Sequence, residues 1–143
     1  MKNLLDAIYL HFSELTAGVH TDFWIDLNGA MYKERAPQGY EFPYCVFTTV
    51  AEAHSKTFGE HFKEPLIQFS IFTDDSSTDN IEDMYTDLKS LYDEAEFNIT
   101  DNTLVWCRIQ SAVLIPDIVT TKRWTREIWH YAVDFELMVS YTP

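Results

Sequence analysis

A thiol near the middle of the chain is the first group whose type could do chemistry. Cys45 lies in "EFPYCVF", residues 41–47, two positions after Pro43. A cysteine nucleophile needs a histidine or a helix N-terminus nearby to lower its pKa, and no histidine neighbours Cys45 in the sequence. The residues after Pro43 are typical of a strand, where a cysteine is usually a small buried hydrophobe. We therefore interpret Cys45 as a core residue at the start of a strand, with a catalytic nucleophile as the alternative. Cys107 is far away in sequence, which predicts two free buried thiols.

A second group that could do chemistry is the pair His54 and His61, with Glu60 and Glu64 nearby. Their spacing matches no recurrent set of metal ligands, so we interpret them as the tip of a polar hairpin, with a metal site as the alternative. The sequence contains no Gly-rich phosphate loop, no G-x-S-x-G and no H-E-x-x-H. It therefore predicts neither a bound metal nor a cofactor.

Acidic residues crowd one part of the chain. Residues 74–101 hold ten Asp and Glu against one lysine, Lys89. A paired-carboxylate enzyme needs two acids held at a fixed separation in a cleft. Here the acids follow the polar side of an amphipathic helix, which indicates a solvated face. The alternative is a surface that uses its negative potential.

The single basic cluster of the sequence is Lys122, Arg123 and Arg126, with Trp124 among them. Cations with an aromatic residue are one mark of a nucleic-acid patch. The formal net charge of −13 opposes that interpretation, because nucleic-acid surfaces need clustered positive charge. We favour a contact with an acidic partner surface, which another copy of this chain would supply.

Helical spacing predicts two helices that position these groups. Leu4, Leu5, Ile8, Phe12 and Leu15 share one face of the first, with Asn3 as its cap and Gly18 as its stop. The second covers residues 80–96, and its apolar stripe is Ile81, Met84, Tyr85, Leu88, Leu91, Tyr92 and Ala95.

Alternating apolar residues predict strands at 44–53, 66–72, 103–115 and 124–141. Within 19–42, Asn28-Gly29 is a turn signal that fits a short hairpin, or one strand followed by a loop. On the strand 103–115 we expect one face made of Val105, Cys107, Ile109, Val113 and Ile115.

The 143 residues suit one domain, 1–143, of class α+β. Its mainly antiparallel sheet has two helices packed on one face. No apolar run approaches the ~18 residues of a membrane-spanning helix, which predicts no membrane contact.

The succession of these segments matches a known pattern. An amphipathic helix precedes "FPYCVF", a hairpin with second strand "IQFSIF", the helix "IEDMYTDLKSLYDEA" and the closing strand "WHYAVDFELMVSY". In this order the segments resemble the tail terminator (tail completion, or head-to-tail joining) proteins of long-tailed bacteriophages. The resemblance covers nearly the whole chain, and residues 43–46 and 129–141 match best.

The resemblance implies a structural protein, not an enzyme. Such proteins form a ring, typically of six subunits, that caps the tail tube, stops its growth and meets the head connector. DNA passes through the channel without specific binding. The implied location is the head–tail interface of the virion, after synthesis in the host cytoplasm.

Ring closure requires two different patches that meet head to tail. We expect them in the hairpin tip 54–64 and the connection 117–126, with the candidate interface residues Lys56, Phe58, His61, Lys63, Lys122, Arg123, Trp124 and Arg126. An acidic face towards the lumen would repel phosphates, and its candidates are Asp79, Glu82, Asp83 and Asp87. The alternatives are another head completion or minor capsid protein, and a small ligand-binding or enzymatic α+β domain with a deep pocket.

Overall fold

Four long strands with many alternating apolar residues form most of one sheet. The helices pack their apolar sides against one face of that sheet. The structure, a computed structural model, describes residues 2–57, 60–75, 77–120 and 125–141. Its elements in chain order are α1 (Lys2–Ser13), β1 (Leu15–Thr16), β2 (Val19–His20), α2 (Asp22–Leu27), β3 (Met31–Lys33), β4 (Tyr44–Thr57), β5 (Glu60–Thr73), α3 (Asp79–Tyr92), β6 (Asn102–Thr120) and β7 (Thr125–Tyr141).

The main sheet has the strand order β3-β4-β5-β7-β6. β3 runs parallel to β4, and every other neighbouring pair is antiparallel. The predicted α+β class is confirmed, although the described residues contain three helices rather than two. None of the described helices has the length and apolar character needed to cross a membrane.

The core lies between the helices and one face of the sheet. β7 lies between β5 and β6 in the sheet. Its buried residues, together with those of β5 and the helices, confirm most of the predicted stripes: Leu4, Leu5, Ile8, Phe12, Ile67, Phe69, Ile71, Ile81, Met84, Leu88, Tyr92, Tyr131, Val133, Phe135, Leu137 and Val139. Burying side chains of this size is the main favourable contribution to folding.

The first helix ends earlier than its apolar spacing predicts. α1 stops at Ser13, and Leu15 lies in β1 with 57% of its surface exposed. Asn3 is inside the helix, where its side-chain amide donates to the carbonyl of Thr100 instead of capping. Gly18, with φ +79°, serves the β1–β2 turn. Glycine adopts a positive φ both at helix C-termini and in tight turns, so the sequence alone does not distinguish these two roles for Gly18.

The Asn28-Gly29 signal marks a helix end and not a hairpin. α2 begins after Thr21, whose hydroxyl oxygen accepts from the Trp24 amide at 3.2 Å. It ends at Leu27, and its C-cap Asn28 has left-handed φ and ψ of 51° and 40°. The same residue types serve tight turns and helix C-termini, because both need positive φ.

The predicted single face of β6 is wrong for three of its five residues. Val105, Val113 and Ile115 are exposed, whereas Cys107 is buried. The register against β7 shifts between Leu104 and Trp106 and again between Ile109 and Ser111. Each bulge adds one residue, which turns the following side chains to the other face of the sheet.

Candidate functional site

The environment of Cys45 opposes nucleophilic chemistry. Its side chain is fully buried in the core, and burial raises the pKa of the thiol. Burial also raises the pKa of Cys107, to about 12. A nucleophile needs the opposite shift, because the thiolate is the reactive form. Both thiols are free, and Cys45 lies in the second position of β4, as the strand interpretation predicts.

The two histidines of the β4–β5 hairpin stand opposite lysines. His54 pairs with Lys63, and His61 pairs with Lys56. The His61 ring lies 5.6 Å from that of Tyr141. Across the described part of the chain, no group of His, Cys, Asp and Glu is arranged to hold a metal ion.

The segments predicted to form the two interface patches are mostly strand. β4 and β5 remain paired as far as Thr57 and Glu60, and β6 and β7 as far as Thr120 and Thr125. Because β5 and β7 are antiparallel neighbours, these two hairpin ends lie at opposite ends of the sheet. Lys56, His61, Lys63 and Arg126 lie on the described strands, while Phe58, Lys122, Arg123 and Trp124 are outside the described residues.

One hairpin extends beyond its neighbours. β5 ends at Thr73, opposite Trp129, but β6 and β7 stay paired for four more rungs. We call residues 117–120 and 125–128 the projecting ribbon. Four residues of strand reach about 13 Å. No third strand pairs with the projecting ribbon among the described residues, and two strands alone are marginally stable in water.

The acidic residues of α3 divide into exposed and packed positions. Asp79, Glu82 and Asp83 are exposed, while Asp87 is half-buried. Burial and the neighbouring carboxylate of Asp87 raise the pKa of Asp26 on α2 to about 7. Asp26 was not predicted from the sequence, because local spacing does not show that α2 packs on α3.

Stacked rings cross the face of the sheet that is opposite the helices. Tyr44 on β4 stacks on Phe72 of β5 at 4.9 Å, and Phe72 stacks on His130 of β7 at 4.3 Å. Tyr40, from the segment before β4, lies 4.5 Å from Tyr44 and is exposed. We call these four residues the aromatic row. Strand register brings Tyr44, Phe72 and His130 together, and no local pattern in the sequence predicts that contact.

A groove of about 880 Å³ lies between α1 and the beginning of β6. We call it the α1–β6 groove; the second half of α1 forms one wall, and residues 96–99 and 102–105 form the other. Exposed apolar side chains, Leu10 and Val105, stand on its two sides. Glu14 and Glu96 add carboxylates, and none of its described lining residues is Lys or Arg.

Comparison with solved structures finds the same fold at low sequence identity. No family model matches the chain, and no curated protein matches it. A chain of the virion of a native gene transfer agent (GTA) particle has the same fold, with a TM-score of 0.77 and 13% identity. The similarity covers 96% of this chain and 94% of that chain. Nearly the whole chain therefore shares one fold with that protein.

Proposed function

We propose that the protein is a structural component of a phage-like virion rather than an enzyme. The main support is the structural similarity to a chain of the GTA virion, which has a TM-score of 0.77 and covers 96% of this chain. Cys45, the thiol considered above as a possible nucleophile, is fully buried in the core. Its burial supports a structural role. The projecting ribbon also supports it, because assembly proteins need extended contact surfaces.

Within that class, the role that fits best is a tail terminator. The subunits would form a ring, with the six members typical of the family that the chain resembles, that caps the tail tube and meets the head connector. Two unlike hairpin ends at opposite ends of the sheet support this role, because a ring needs a heterologous contact. The proposed interface residues remain Lys56, Phe58, His61, Lys63, Lys122, Arg123, Trp124 and Arg126.

The acidic side of α3 is proposed to face the channel through which DNA passes. The exposure of Asp79, Glu82 and Asp83 supports this, whereas Asp87 is partly withdrawn towards α2. Carboxylates in a channel repel phosphates and keep DNA from adhering. An image of the ring with α3 on its outer surface would refute this placement.

The ring itself is tested by light scattering over a concentration series, with electron microscopy of the largest species. A species of six subunit masses with a central channel is expected. Reversal of Lys122, Arg123 and Arg126 to glutamate should weaken the oligomer more than it lowers the melting temperature. Lys89→Glu, on α3, is the control for added negative charge.

Antibody labelling of particles made by the encoding element tests the location. Label at the joint between head and tail is expected for a terminator. Label over the capsid shell would instead indicate a minor capsid protein. A monomer that never joins particles and binds a small molecule would overturn the virion role altogether.

A further inference from the structure

The face of the sheet opposite the helices is apolar at the end where β4 begins. Directly opposed residues of neighbouring strands have their side chains on the same face. The register therefore forms one row across four strands from Tyr44, Phe72, His130 and Ile115. The next row on the same face consists of Val46, Ser70, Ala132 and Val113. We call these two rows the back patch.

The described helices lie on the other side of the sheet and leave the back patch uncovered. Tyr131 on β7 stacks on Tyr85 of α3 at 4.5 Å, so the neighbouring residues of β7 point away from the helices. At the β6 side of the patch, Val113 is 54% exposed and Ile115 is 38% exposed. The open face of an antiparallel sheet is usually polar, so exposed apolar side chains there indicate a contact surface.

The back patch contains no Asp, Glu, Lys or Arg, in a chain with a formal net charge of −13. The nearest acid along this face of β7, Asp134, accepts from the Gln68 amide at 3.0 Å and from the Ser111 hydroxyl at 3.1 Å. Beyond it the face carries charges of both signs, including Arg108 opposite Glu136. Copies of an acidic chain repel each other, and a two-fold contact brings the same surface of both copies together. An uncharged patch is therefore the part of this face that a second copy can approach closely.

The two sides of the back patch complement each other. The β4 side carries Tyr44, with the exposed ring of Tyr40 at 4.5 Å, whereas the β6 side carries the two exposed aliphatic side chains. A two-fold axis parallel to the strands, between β5 and β7, lays the β4 side of one copy on the β6 side of the other. Aromatic rings then pack on branched side chains at both sides. Asp134 lies over Gln68 of the second copy and not over its own equivalent.

The whole face has the size that a stable contact needs. Strands β4, β5 and β6 all accompany β7 along residues 130–140. That length is about 37 Å and the width of the four strands is about 19 Å, which gives roughly 700 Å². Stable interfaces bury about 800 Å² on each partner. Sheets of two copies can also pack face to face, with their strands about 30° apart.

We propose that two copies of the chain associate through their back patches, with the two sheets packed face to face about a two-fold axis. The contact goes beyond the proposed function and does not depend on it. It covers the exposed side chains of Tyr40, Val113 and Ile115 in both copies. Since α3 packs on the other face of the sheet, its acidic side stays exposed in the pair.

Disulfide trapping tests the contact directly. In the proposed arrangement, Ser70 of one copy lies over Ala132 of the other, and a disulfide can join two packed sheets. Ser70→Cys mixed with Ala132→Cys should give about ten times more heterodimer under mild oxidation than Ser70→Cys mixed with Thr86→Cys, because pairing raises the local thiol concentration. Thr86 is an exposed position on α3, and the native cysteines are buried and leave the background low. Equal yields in the two mixtures would overturn the proposal and leave the patch to a different protein.

A carboxylate placed in the back patch gives a second readout. Val113→Asp should lower the association constant about tenfold or more, because the contact would bury a charge that has no partner. Val105→Asp is the matched control, with the same change on the same strand at a valine that is 48% exposed and lies outside the patch. It should alter the association constant by less than about twofold. Sedimentation velocity measures association, and unchanged melting temperatures show that both variants fold.

The remaining outcomes separate this contact from the virion role. Equal losses in the two aspartate variants overturn the back-to-back pair, as does a pair that persists in Val113→Asp. A wild-type chain that forms neither a pair nor a trapped heterodimer at any concentration also overturns it. Each of these results leaves the proposed function standing.

Discussion

The carboxyl groups of Asp26 on α2 and Asp87 on α3 are neighbours across a helix contact. Burial, followed by a hydrogen bond with the Asp87 carboxylate and then by its charge, raises the pKa of Asp26 to about 7 from an ordinary value of 3.8. Asp22 and Asp83 add further negative potential. The contact between the two helices is therefore sensitive to pH near neutrality.

The first prediction concerns the pH dependence of stability. The folded chain holds the Asp26 proton more tightly than the unfolded chain, so stability falls as pH rises from about 4 to about 7. Because Asp26 is only half-buried, we expect a loss of about 1 kcal/mol after solvent screening. Asp26→Asn should be more stable than wild type by that amount at pH 8 and equal to it at pH 4. Urea unfolding at both pH values measures the difference, with Asp79→Asn as the control. A gain that is the same at both pH values would contradict the assignment.

The second prediction concerns the bond that joins α3 to α1. The Tyr92 hydroxyl donates to the Ile8 carbonyl at 2.7 Å inside the core. Tyr92→Phe should lower the free energy of unfolding by about 1–2 kcal/mol, because the carbonyl loses a buried partner. Tyr85→Phe, at a half-buried position on the same helix, is the matched control and should change it by less than 0.5 kcal/mol, as surface substitutions do. Equal losses would show that the hydroxyl bond is not the cause.

The third prediction compares two glycines with the same φ of +79°. An added Cβ at Gly29 would lie 3.0 Å from the Trp24 ring, whereas one at Gly18 would meet nothing within 4 Å. Gly18→Ala should cost about 1 kcal/mol for the left-handed backbone alone. Gly29→Ala should cost more, because the ring of Trp24 must also move. Thermal unfolding of the two variants gives the comparison, and a smaller loss at Gly29 would be inconsistent with this packing.

The fourth prediction tests the bulges of β6 through two valines on neighbouring strands. Val113 is 54% exposed, and Val133 is fully buried. Val113→Thr should change the free energy of unfolding by less than about 0.5 kcal/mol. Val133→Thr should lower it by about 1–3 kcal/mol, because a hydroxyl enters the core. A large loss of unfolding free energy at Val113 would indicate that its side chain is buried, as the unbroken alternation expected from the sequence requires.

The fifth prediction concerns thiol reactivity. Cys45 and Cys107 are buried and burial raises the pKa of each, so neither should react with a thiol reagent in the folded protein within minutes. Both should react at once in denaturant. Spectrophotometric titration of thiols measures the two states. Rapid modification of Cys45 in the folded chain would reopen the catalytic interpretation.

Local pattern was sufficient for much of the fold. The period of two on β5 and β7 and the stripe of α3 place Phe69, Phe135 and Leu88 in the core, since one face of each element must be buried. The same reasoning identified Cys45 as a strand residue. It failed on β6, where two bulges reverse the alternation, and such bulges depend on the neighbouring strand.

The sequence by itself determined the composition of each surface, while tertiary structure decided which surfaces meet. Charge and apolar content along the chain identify an acidic helix and a basic segment, and they exclude a broadly basic surface. Only strand register places Tyr44, Phe72 and His130 in one row, and only helix packing brings Asp26 to Asp87. These relationships join residues far apart in the chain, and no local periodicity encodes contacts of that range.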